Sequence, residues 1–171
     1  MPQLIAGVGT YTLEILEDLP DVDVIIVPIG GGSGASGACI VAKSINPKIK
    51  VIGVQSEQAP AVYLSWKEGE IVEAPMRSHA EGLATGSGYQ TTLDILTEQL
   101  DDFVLVSDDE MDQAVILHLE NTHNLTEHAG AASLAGAVKI KDQLAGKKVV
   151  LIMSGGNLSM QQLKELLEKH V

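Results

Sequence analysis

The stretch Val24-Ile25-Ile26-Val27-Pro28-Ile29-Gly30-Gly31-Gly32-Ser33-Gly34 constrains the fold of this chain more than any other. It opens as an apolar, β-branched run with no helical spacing, the pattern of a strand buried on both faces. Four glycines and a serine follow within five positions, and small or apolar residues from Ala35 to Ile45 then read as a helix. Strand, glycine-rich turn and helix together make an anion site. Glycine lets the backbone approach a ligand closely, and the first amides of the helix point outward, unsatisfied, at the positive end of its dipole. A simple turn needs one glycine, so the expected ligand carries a phosphate.

A length of 171 residues suits one domain with a sizeable core. The net charge of −12 disfavours nucleic acid or an anionic membrane as a partner. It leaves a phosphorylated cofactor open, since local backbone dipoles govern that contact. No apolar run approaches the ~20 residues that span a bilayer, and Met1-Pro2-Gln3-Leu4 lacks the pattern of a secretory signal. Cys39, the single cysteine, forms no internal disulfide; it fits a reducing cytoplasm and reads as a small packing residue.

Leu4 to Thr10 reads as a short apolar segment ending in a glycine turn, Gly7-Val8-Gly9. An acidic helix follows, capped by Thr10 or Thr12 and closed by Pro20. So abrupt an opening gives the expectation of a chain that has been cut. Strands are expected over 22–29, 49–54, 103–106 and 147–153. Helices are expected over 33–46, 59–66, 91–100, 108–123 and 127–144, with a last amphipathic helix capped by Ser159. Strands alternating with helices predict a three-layer α/β domain, its mostly parallel sheet flanked by helices. Ligands of such sheets lie beyond the carboxyl ends of the strands. The loops 30–34, 55–57 and 154–157 should therefore share one edge, with the ligand between the two glycine turns.

Gly32-Ser33-Gly34-Ala35-Ser36-Gly37 also matches G-x-G-x-x-G, and Glu57 ends the next strand where a ribose-binding acid belongs. A dinucleotide-binding module is thus the alternative, as is a non-catalytic domain for a phosphorylated ligand. No G-K-[ST] follows the glycines, so a P-loop is unsupported. His118, His123 and His128 are spaced by five, which puts no two on one helical face; they read as surface or helix-end residues, and no metal site is expected. The acidic run from Asp108 to Glu120 reads as a solvated face, as do Lys43, Lys67, Lys139 and Lys141.

Four segments in order carry a resemblance: Ile5-Ala6-Gly7-Val8-Gly9-Thr10, Val27 to Gly34, Lys50-Val51-Ile52-Gly53-Val54-Gln55 and Ser154-Gly155-Gly156-Asn157. They resemble the C-terminal half of threonine dehydratase, of the fold-type II pyridoxal-phosphate enzymes that include serine racemase and tryptophan synthase β. The resemblance implies pyridoxal 5'-phosphate as cofactor, cradled by the amides of Gly30, Gly31, Gly32, Ser33 and Gly34. Ser154 would face the pyridine nitrogen, and Gly82, in Glu81-Gly82-Leu83-Ala84, would flank the ring. Glu127 matches a glutamate near the cofactor; its other reading is an acid favoured by a helix N-terminus.

The implied activity is deaminating β-elimination from L-threonine or L-serine, giving from threonine 2-oxobutanoate and ammonia. Two departures stand out. Gln55, Ala59 and Ala61 occupy positions where the family carries metal ligands, so no structural Mg²⁺ or Ca²⁺ is expected. The family's catalytic lysine belongs to an N-terminal half that this chain does not match. The chain is therefore expected to be inactive alone, to pair with that half, and to self-associate as a homo-oligomer.

Overall fold

The computed structural model describes residues 2–170. Four strands, β1 (Val24–Pro28), β2 (Lys50–Ser56), β3 (Asp102–Val106) and β4 (Val149–Leu151), form one sheet in the order β3-β2-β1-β4, every pairing parallel. The eight α-helices of the described residues are α1 (Pro2–Asp18), α2 (Ser33–Ile45), α3 (Ala61–Glu68), α4 (Gln90–Gln99), α5 (Asp108–Thr122), α6 (His128–Lys139), α7 (Lys141–Leu144) and α8 (Met160–His170). This is the expected three-layer α/β arrangement.

Alternation along the strands builds the two cores. Val24, Ile26, Ile52, Val54, Val104 and Val106 face the layer of α5, α6 and α8, whereas Ile25, Val27, Val51 and Phe103 face the layer of α2, α3 and α4. Both faces are covered, which is why the strands read as continuous apolar runs. The alanines and glycines of α6 let it lie close on the sheet: a methyl group on Gly136 would collide with Val54 of β2.

The largest correction is at the N-terminus. Gly7-Val8-Gly9 is not a turn but lies inside the continuous helix α1. Neither threonine caps it: Thr10 Oγ1 donates to the Gly7 carbonyl within the helix at 2.8 Å, and Thr12 is buried. Gly9 serves helix packing, whereas Gly7 is exposed with open space around it. A Cβ on Gly37 of α2 would stand 2.9 Å from the Gly9 nitrogen and 3.0 Å from the Ile5 carbonyl oxygen, so the two backbones cross in near contact.

Other local readings also change. His118 is buried within α5 rather than at the surface, whereas His123, the left-handed C-cap of α5 with φ 56°, and His128, which is buried and opens α6, are helix-end residues as expected. The run from Asp108 to Glu120 is not wholly solvated, because Asp112 is buried. Lys43 is held by Asp101 at 2.6 Å and the Ile49 carbonyl at 2.7 Å, and Lys139 bridges Glu57 and Glu110 at 3.0 Å each. Ser159 does cap α8: its Oγ accepts from the Gln162 amide at 3.2 Å, and its own amide donates to Gln162 Oε1 at 2.9 Å.

Candidate functional site

The turn after β1 is shaped by what its carbonyls do. Thr85 Oγ1 donates to the Gly30 carbonyl at 3.2 Å and Thr92 Oγ1 to the Gly31 carbonyl at 2.9 Å. The Ser36 amide donates to the Gly32 carbonyl at 2.9 Å, and the Tyr11 hydroxyl to the Gly34 carbonyl at 3.0 Å. With the carbonyls tied back, the amides of Gly30 through Ala35 have no hydrogen-bond acceptor among the described residues. A run of unpaired N–H groups at the start of a helix is an anion cradle.

Glycine is required here for space and for conformation. Gly32, the N-cap of α2, has φ 88°, a left-handed backbone that side chains strain. A Cβ on Gly30 would strike the Gly82 carbonyl oxygen, and one on Gly82 would lie 2.8 Å from Ala129 Cβ. The short turn Glu81–Leu83 is thereby pressed between the glycine loop and the start of α6.

These residues line one open cavity of about 840 Å³. Gly30 to Gly34 form one wall, Ile152, Met153 and Ser154 beyond β4 another, with Gly82, Leu83, Glu127 and Ala129 between and Tyr11 of α1 opposite. The expected cofactor residues thus come together in one place. The third loop does not join them. Glu57 is engaged by Lys139 and lies off the cavity, so the dinucleotide alternative lacks its ribose acid.

Glu127 occupies the N-cap of α6 but makes no side-chain capping bond. Its carboxylate lies over Gly155, where a methyl group would collide with Oε1. The position is a helix N-terminus, and the side chain is spent on the cavity rather than the cap. Burial pushes the Tyr11 phenol up to about 12, so it remains a neutral donor to the loop across the physiological range. Cys39, also pushed up by burial to about 12, is an inert packing residue. No lysine lines the cavity among the described residues.

Thr85, Thr92 and Tyr11 were not legible as functional positions, since each acts on a carbonyl distant in sequence. Gln55 is fully buried, its Oε1 accepting from the Tyr63 amide at 2.9 Å, while Ala59 and Ala61 offer no side-chain ligand.

Comparison with known proteins settles the family. The pyridoxal-phosphate dependent enzyme family matches residues 1–155. This chain is a pyridoxal-phosphate dependent enzyme family member. It is 40% identical over 170 residues to the L-threonine ammonia-lyase of Thermotoga maritima, covering 98% of this chain and 42% of that protein. It is 39% identical over 170 residues to the serine racemase of Dictyostelium discoideum, covering 96% of this chain and 52% of that protein. In structure it matches the processed form of threonine deaminase isoform 2 from Solanum lycopersicum with a TM-score of 0.94 and 30% identity, over 99% of this chain and 50% of that one. The chain spans about half the length of the curated relatives it matches.

Proposed function

We propose that this chain supplies the cofactor-holding part of a pyridoxal-phosphate dependent ammonia-lyase acting on L-threonine or L-serine. The observation that carries the reading is the run of free amides from Gly30 to Ala35, facing the same cavity as Ser154 and Glu127. The relatives named threonine ammonia-lyase and threonine deaminase support the reaction class.

When bound, the cofactor supplies an electron sink for cleavage of bonds at the substrate α-carbon. The chain's own residues would set the terms of that chemistry. The amides of Gly30, Gly31, Gly32, Ser33 and Gly34 neutralise a phosphate without a cationic side chain. Ser154, exposed at the mouth of the cavity, offers a hydroxyl to the pyridine nitrogen. A hydroxyl does not hold that nitrogen protonated, which weakens the sink and suits β-elimination. Gly82 and Leu83, which line the same cavity, would flank the ring, and the Glu127 carboxylate would hold or pass a proton.

The lysine that carries the cofactor would come from an N-terminal half outside this chain. In support, no lysine lines the cavity among the described residues, and the chain covers about half the length of its relatives. The substrate carboxylate would likewise be bound by that half, leaving threonine against serine to be decided there.

Hydrogen exchange tests the reading. Pyridoxal phosphate or inorganic phosphate should slow exchange at Gly30 to Ala35. Protection confined to Gln55-Ser56-Glu57, together with tighter binding of a dinucleotide, would overturn it. Borohydride reduction of the isolated chain with pyridoxal phosphate should leave no stoichiometric lysine adduct.

A further inference from the structure

Behind the cofactor cavity, three elements bring two imidazoles to one buried carboxylate. His79 precedes the Glu81–Leu83 turn, Asp112 is on α5, and His128 opens α6. Asp112 Oδ1 lies 2.9 Å from His79 Nε2 and 3.3 Å from His128 Nε2. The two rings meet edge to face with centroids 4.3 Å apart. Yet Oδ1 is buried without a hydrogen bond, because neither ring nitrogen is aligned to donate to it. A buried carboxylate oxygen left unpaired is costly, and one shared by two misaligned imidazole nitrogens is arranged to face a common ion.

We propose that His79 Nε2, Asp112 Oδ1 and His128 Nε2 bind a divalent transition-metal ion of the zinc class. Zinc at about 2.0–2.2 Å from nitrogen and oxygen ligands in tetrahedral geometry sets ligands roughly 3.3 Å apart. The observed separations need only small adjustments to reach that. A pocket of about 70 Å³ lined by His79, His128, Glu127 and Asn157 leaves room for a water as fourth ligand.

The surroundings suit a metal rather than an ammonium. His79 Nδ1 lies 3.4 Å from Asp108 Oδ2, the outer carboxylate that commonly orients a metal-bound imidazole. A second grouping, Asp109, Asp112 and His170, is already filled. Lys169 Nζ sits 2.8 Å from Asp109 Oδ1 and 2.9 Å from Asp112 Oδ2. That ammonium neutralises Oδ2 and leaves Oδ1 to the imidazoles.

The ion would tie the Glu81–Leu83 turn and the start of α6 to α5. Gly82 presses on the phosphate loop and Glu127 lines the cavity, so the metal would fix two walls of the cofactor site without touching the reacting atoms.

The test uses the intact chain, stripped with a chelator, and zinc or cobalt alone, so it does not depend on the cofactor reading. Competition with a chromophoric chelator should show one equivalent of zinc bound, and cobalt should give the intense visible bands of a tetrahedral site. His79→Gln and His128→Gln should each weaken zinc binding by roughly a hundredfold or more, since even outer-shell losses cost about 10–100-fold. His170→Gln should leave it within a few-fold. The His79 side chain is 44% exposed, so H79Q should keep the fold, verifiable by circular dichroism. In the unaltered chain, zinc should shift the Nε2 resonances of His79 and His128 and slow exchange around Gly82. Zinc binding without fixed stoichiometry, or binding that survives both H79Q and H128Q, or that is lost in H170Q instead, would overturn the assignment.

Discussion

Gly30 shows what a single hydrogen atom decides. Its Cα faces the Gly82 carbonyl so closely that any side chain must displace backbone, which cannot swing aside as a side chain does. Gly30→Ala should therefore cost about 1–3 kcal/mol of stability, as overpacking does. It should also reduce affinity for pyridoxal phosphate more than about tenfold, because the loop amides lose their common direction; calorimetry and thermal unfolding measure the two. Tyr11 gives a different residue-scale effect. Its folded phenol is raised to about 12 from the ordinary 10.0, so between those values the unfolded chain releases a proton that the folded chain keeps. Stability is then fully present below pH 10 and falls as pH rises towards 12. The difference is worth at most about 3 kcal/mol. Tyr11→Phe should flatten that alkaline decline in denaturant titrations, the remaining slope belonging to groups such as Cys39. A decline as steep as in the unaltered chain would show that the phenol is not held in its buried bond to Gly34.

Among the elements, the contrast between α1 and the strands explains what was legible in the sequence. Val24 to Pro28 and Lys50 to Ser56 announced themselves because a strand covered on both faces must be apolar throughout. The glycine turn after β1 was equally plain as a strand-to-helix turn, since so many consecutive glycines end a strand. Gly7 and Gly9 misled because glycine costs about 1 kcal/mol in a helix and is ordinarily a turn signal. Only the tertiary crossing with Gly37 reveals why Gly9 is in α1; nothing in the structure explains Gly7. The cluster of His79, Asp112 and His128 was illegible for a related reason: its members come from separate elements, and periodicity within one helix says nothing about them. The crossing makes a prediction of its own. Gly37→Ala would put a methyl group 2.9–3.0 Å from the backbone of Gly9 and Ile5, so α1 must move as a body. A loss of about 1–3 kcal/mol is expected. Faster hydrogen exchange should appear along α1, with the sheet strands unchanged. Uniform acceleration throughout the chain would show instead that α1 unfolds only with the whole domain.

At the scale of the whole molecule, the fold presents more apolar surface than its sheet core requires. Leu4 and Leu13 of α1 are 53% and 43% exposed, while their neighbour Ile5 is buried. Ile45 on α2 is 54% exposed and Met153, at the mouth of the cavity, 42%. In the sheet, β4 is a three-residue edge strand paired only with β1, so its outer amides and carbonyls face away from the sheet. Apolar patches beyond a few hundred Å² usually find a partner, and the occupant available to the chain in isolation is a second copy. The charge of −12 opposes that encounter. Its reach is set by the Debye length, roughly 10 Å at 0.1 M salt and 3 Å at 1 M, so added salt weakens the repulsion while leaving apolar contact intact. The associated fraction should therefore rise with ionic strength, the reverse of an assembly held by ion pairs. Sedimentation velocity at low and high salt, at on the order of tens of micromolar protein, measures it directly. Pyridoxal phosphate in the cavity should not reverse the trend, because its phosphate adds negative charge on one wall while Leu4, Leu13 and Ile45 remain uncovered. A clean monomer under both conditions would mean that the exposed residues do not form a contiguous patch, and the expectation of a homo-oligomer from this segment would fall.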